Sequence, residues 1–131
     1  MKRDMDLIRR LLLETENLGY DGDRYNRTYL NSWFDGVEDD IFFYHVKLLD
    51  EAGYIESLSP PPNLDDLVER YFPYSLTWAG HELLDSIRDS DAWEKVKKSL
   101  GKNLSTVPFT VLATVTAEMA KVWALKKLGL N

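Results

Sequence analysis

The stretch FFYHVKLLDEAGYIE, residues 42–56, constrains this chain more than any other. Phe42, His45, Val46 and Leu49 stand at i, i+3, i+4 and i+7, a spacing that a helix gathers into one buried stripe. Gly53 follows, and glycine takes the left-handed backbone that ends helices without steric cost. Tyr54 to Ser57 then has the composition of a strand. The next residues, SLSPPPN, include three prolines in a row. Prolines cannot donate ladder hydrogen bonds and favour an extended coil, so this segment is a loop. Pro73 to Thr77 returns as the second strand of a hairpin.

Helices surround this hairpin. Asp4 to Glu16 places Met5, Ile8 and Leu12 on one face, with Leu11 and Thr15 beside them. Gly19 is its stop signal. Residues 20–35 fit either a short strand over Arg27–Phe34 or a short helix. After Gly36, the acids Glu38, Asp39 and Asp40 suit the positive end of a helix dipole. Ala79 to Arg88 is a helix with Leu83, Leu84 and Ile87 inward. A break near Asp89–Asp91 precedes a helix over Trp93–Leu100, which Gly101 ends. Ser105 or Thr106 is the expected cap of the last helix. Pro108 lies in its first turn, where a missing N–H costs nothing, and the helix runs to about Leu128.

Helix, linker, helix ending at glycine, strand, loop, strand, helix is the order of a winged helix-turn-helix. The expected architecture is therefore α+β, a winged helix-turn-helix-like domain with a two-stranded wing and additional C-terminal helices. It forms a single domain over 1–131, with a winged-helix core at 1–90 and a helical extension at 91–131. The stretches YHVKLLDEAGYIE and YSLTWAGHELL resemble bacterial winged-helix repressors, where LTxxGxxxL starts the helix after the wing. Here that motif is Leu76, Thr77, Gly80 and Leu84. Further, MKRDMDLIRRLLLE, LTWAGHELLDSIRDSDAWEKVK, VPFTVL and KKLGL together resemble a family of small bacterial and phage proteins catalogued as a domain of unknown function. The resemblance covers nearly the whole chain and departs most at Leu18–Phe34 and in the proline-bearing wing. It implies a winged-helix-like fold and a prokaryotic or phage origin. It carries no activity and no catalytic residues.

The residues offer little for chemistry. The chain has no cysteine, which excludes disulfides and thiolate ligands or nucleophiles, and only two histidines. His45 lies on the inner stripe, as a satisfied core histidine does. His81 and Asp85 share a helix face, but a metal needs third and fourth ligands that nothing supplies. Asp39–Asp40 and Asp65–Asp66 are adjacent pairs, which a helix points apart. There is no phosphate-cradling glycine loop, nucleophile elbow or Ser-His-Asp order. We read the chain as non-catalytic, with no cofactor and no metal. Charges interrupt the leucines near the N-terminus, unlike a signal peptide. The longest apolar segment, Val107–Val122, contains Glu118 and Lys121, unlike a membrane span. The expected location is the cytoplasm.

The net charge of −6 is unevenly spread. Residues 1–34 balance, residues 35–91 carry 14 acidic against three basic groups, and residues 92–131 carry two against seven. Placing Phe42, Val46 and Leu49 inward leaves Asp40, Phe43, Tyr44, Lys47, Asp50 and Glu51 outward. The wing adds Asp65, Asp66 and Glu69 against Arg70. Several carboxylates would repel phosphate, so this face disfavours DNA and suits a protein partner, with Phe43 and Tyr44 either exposed to it or packed on 20–35. A basic patch of Lys95, Lys98 and Lys102 is the alternative surface, which a dimeric DNA-binding regulator would need; an ordinary solvated helix face is the plainer reading. The last helix is apolar on more than one side. Phe109, Leu112, Val115, Met119, Val122 and Trp123 exceed what one core contact against the first helix uses, so a homodimer is expected.

Overall fold

The computed structural model of the chain describes residues 1–18, 36–59 and 69–130, leaving out the side chains of residues 105 and 109. The expectations for Gly19, for residues 20–35, for the prolines at 60–62 and for Asp65 and Asp66 lie outside the described residues. Within them the architecture is α+β. It comprises α1 (Met5–Glu16), α2 (Asp39–Glu51), β1 (Ile55–Leu58), β2 (Phe72–Leu76), α3 (Trp78–Ile87), α4 (Ser90–Leu100), a 3-10 turn (Gly101–Ser105) and α5 (Phe109–Leu128).

The helix α1 contributes more buried apolar side chains than any other described element and packs on β2, α2 and α3. Met5, Leu7, Ile8, Leu11 and Leu12 are all buried, and Thr15 continues the stripe. Each fully buried side chain of leucine size contributes about 1.5–3 kcal/mol. Asp4 caps the helix by accepting from the Leu7 N–H at 3.1 Å. The stripe of α2 closes on α1 through Phe42, His45, Val46 and Leu49, all buried. The His45 ring is fully satisfied. Its Nε2 accepts from the Asp4 backbone N–H at 2.8 Å, so its proton sits on Nδ1 and is donated to the Ile41 carbonyl at 2.7 Å.

The two strands pair antiparallel, Ile55 opposite Leu76 and Leu58 opposite Phe72. The register shifts between Glu56 and Ser57, a bulge that brings Ser57 opposite Pro73. Asp50 stabilises the entry to β1, accepting from both the backbone N–H and the hydroxyl of Ser57, at 2.9 and 2.5 Å.

The residues Leu76, Thr77, Gly80 and Leu84 fix how the hairpin meets α3. The Thr77 hydroxyl oxygen accepts from the Gly80 N–H at 3.0 Å and donates to the Gly53 carbonyl at 2.5 Å. A Cβ on Gly80 would lie 2.0 Å from the Tyr54 carbonyl oxygen, so only glycine permits this approach. Leu84 is completely buried. The motif is thus a packing device: it caps α3 and presses it against the end of α2.

Polar clamps hold the helices around α1. Arg9 donates to the carbonyls of Ile87 and Arg88, each at 2.7 Å, closing the C-terminal end of α3. Arg88 in turn grips Glu16 with a two-pronged contact at 2.8 and 2.6 Å and reaches Asp85 at 3.0 Å. The Arg88 hydrogen bonds hold the Glu16 carboxyl below its ordinary range, and Glu16 with Asp85 pushes Arg88 up. On the other side, Trp93 of α4 donates from its indole to Asp6 at 2.8 Å, and Lys97 pairs with the same carboxylate at 3.1 Å. Burial opposes ionisation of Asp6, but these two hydrogen bonds and the Lys97 charge outweigh it and lower its pKa.

Three features differ from the sequence reading. Asp89 is the N-cap of α4, accepting from the Ala92 N–H at 2.8 Å, so the break falls at Arg88 and Asp89 and the helix already begins at Ser90 instead of Trp93. Thr106 does not cap α5: its hydroxyl donates to the Asn103 carbonyl, and α5 begins behind Pro108 with no side-chain cap. Finally, α5 packs chiefly on α3 and secondarily on α4, instead of chiefly on the first helix. Its Leu112 is buried, and its Thr116 hydroxyl lies 3.1 Å from that of Ser86.

Candidate functional site

The outward side of α2 is shaped by what surrounds Lys47, the only lysine or arginine in that helix. Its ammonium lies 4.0 Å from Glu51 and 3.7 Å from Glu69, which follows the wing loop, and 5.9 Å from the centre of the Tyr71 ring. The Tyr71 hydroxyl donates to the same Glu69 carboxylate. One cation is thereby shared between two carboxylates and a ring, and the face stays negative. Asp40 and Glu51 are exposed, and Tyr44 is half-buried beside the His45 ring, 5.9 Å between centroids.

Phe43 is not part of this surface. It is 5% exposed and stands edge-on to Phe42 and Phe72, with centroids 5.5 and 5.4 Å apart. The expectation of Phe43 facing outward is corrected for a definite reason: β2 crosses that flank of α2 and covers it. Asp50 likewise serves Ser57 instead of facing a partner.

A second surface lies on α5. Leu112 faces the core, whereas Val115, Val122 and Trp123 are 40%, 53% and 52% exposed. Met119 is half-buried between the two sides, and Phe109 begins the helix. Lys127 stands over the Trp123 ring at 5.6 Å. Where α5 passes the start of α4 it leaves a groove of about 540 Å³. Ala92, Met119, Val122 and Trp123 supply apolar lining, while Asp89, Asp91 and Glu118 supply carboxylates and Lys95 and Lys126 amines. The exposed apolar side of α5 is what the sequence predicts, but the groove is not legible there, since it depends on how two helices diverge.

The lysines Lys95, Lys98 and Lys102 are all exposed. Lys95 lines the α4–α5 groove, and Lys102 lines a separate hollow with Lys2 and Arg3. Lys97 is withdrawn to Glu94 and Asp6, hydrogen bonds that raise its pKa. His81 is exposed, and its Nδ1 lies 4.0 Å from Glu16. Among the described residues, no three His, Asp or Glu side chains are grouped to hold a metal ion, and no helix is long and apolar enough to cross a membrane.

A domain of clamped helices around one hairpin, with an acidic face and an apolar last helix, matches the family described as "Hypothetical protein (DUF2513)" over residues 2–106, and the chain belongs to that family. A protein of Haemophilus influenzae, named "Uncharacterized protein", is 36% identical over 125 residues, an alignment covering 91% of this chain and 98% of that protein. No solved structure matches. The family match ends at residue 106, just before α5 begins at Phe109.

Proposed function

We propose that this chain is a non-catalytic, winged-helix-like binding module of the bacterial cytoplasm that works through protein contacts. The winged-helix assignment is supported by the order α1, α2, β1, β2, α3, by the glycine that ends α2 and by the capped LTxxG junction after the hairpin. In that scaffold α2 is the helix that would enter a DNA groove.

One observation carries the reading. Lys47, the cation a groove-reading α2 would need, is held by Glu51 and Glu69, leaving Asp40 and its neighbours to set the sign of the surface. Phosphate contact requires free cations, so a basic protein partner is the better match. The test uses two probes at low salt. An oligolysine peptide is expected to bind, with affinity that falls as salt rises and weakens further in Asp40→Lys/Glu51→Lys. A random-sequence DNA duplex is expected to show no measurable binding. Steep, salt-sensitive duplex binding would sink this reading in favour of a dimeric DNA-binding regulator.

A further inference from the structure

We infer that α5 is a self-association helix whose occupant is α5 of a second copy, laid antiparallel with Val122 facing Val122 across a two-fold axis. The inference rests on the protein-contact reading and names one of its partners.

Concentration of apolar surface is the first argument. Of eight exposed large apolar side chains among the described residues, six belong to α5 or the residues just after it: Val111, Val115, Val122, Trp123, Leu128 and Leu130. The remaining two, Met1 and Trp78, lie on other elements. An isolated exposed valine is ordinary, but a row of them along one helix is a surface awaiting cover.

Spacing is the second. Val115, Glu118, Val122 and Leu125 succeed one another at steps of three, four and three. That alternation is the seam by which one helix lies along another. It runs beside the core-facing row of Leu112 and Thr116, so the helix can pack on α3 and on a partner together.

Charge selects both the occupant and its direction. A parallel pair would set Lys126 against Lys126 and Glu118 against Glu118. An antiparallel pair centred on Val122 sets Lys126 of each copy against Glu118 of the other, and Leu125 against Met119. It also carries the lysines of the partner's last turn toward the groove rim, where Asp89 and Asp91 wait beside Glu118. The groove sets three carboxylates against the amines of Lys95 and Lys126, so a partner's basic last turn meets a net negative lining, and the match occurs twice by symmetry.

The absence of cysteine makes the geometry directly testable. Sedimentation equilibrium of the full chain should give twice the monomer mass of 15.2 kDa. Val122→Asp and Trp123→Glu should give monomers with unchanged helical circular dichroism, since both positions are half-exposed. Glu118→Lys and Lys126→Glu should each weaken dimerisation by about tenfold, and the double exchange should recover most of it. Val122→Cys should oxidise to a linked dimer. Lys126→Cys should not link to itself, because a rise of about 1.5 Å per residue separates the two positions by roughly 12 Å along the axis. A strict monomer overturns the inference, as does a dimer indifferent to Val122→Asp and Trp123→Glu, or one that links through Lys126→Cys. None of these results touches oligolysine binding at α2, so the two readings fail separately.

Discussion

The helices α2 and α5 each turn one row of apolar residues inward, and they differ on the other side. On α2 the outer positions are mostly charged, and part of that charge already has work: Lys47 is shared by two acids, and Asp50 holds Ser57 of β1. On α5 the outer positions include three half-exposed valines and a half-exposed tryptophan, set among threonines, lysines and Glu118. A face whose polar groups are internally paired can bind only by trading those contacts for others. An apolar face loses nothing but water, and so binds more readily to a surface of its own kind.

The sharpest way to break this comparison is to truncate an aromatic on each helix. Phe43→Ala removes a ring packed between Phe42 and Phe72 and is expected to cost about 3–5 kcal/mol in denaturant melts. Trp123→Ala, measured where the chain is dilute, is expected to cost less than about 1 kcal/mol. Similar losses would mean that α5 is as integral to the core as α2. Acid comes next in size. Glu16 and Asp6 have lowered pKa values in the folded chain, so their stabilisation is complete above the ordinary carboxylate range. It is lost as pH falls through about 4 and below. The melting temperature should drop over that interval, and less so in Glu16→Gln, which has already given up its share. The smallest effect belongs to Val115→Ser on the outer side of α5, expected to change monomer stability by no more than about 0.5 kcal/mol.

Much of the body could be read from the residues because helical period reports a neighbour's direction. The stripes on α1 and α2 and the inward trio Leu83, Leu84 and Ile87 are all buried as spacing requires. Phe43 shows where that logic stops. Period assigns it to the outside, but Phe72, 29 positions along the chain, arrives from β2 to cover it. The chief neighbour of α5 is silent in sequence for a related reason: an apolar stripe says that a helix packs, not on which neighbour. The pairing of Lys47 with Glu69 is equally silent in sequence, since it needs the hairpin to bring two distant residues together. The negative sign of that face was legible nonetheless, because composition alone sets it.

The hydrogen bond from the Asp4 backbone to His45 ties the first residues of the chain to the most enclosed imidazole in the molecule. Loss of Arg3 would cost its hydrogen bond to the Val107 carbonyl, and loss of Asp4 would cost more. Loss of Asp4 would strip the cap from α1 and strand a ring nitrogen in the interior at the same stroke, so one residue couples the start of a helix to the inside of the molecule.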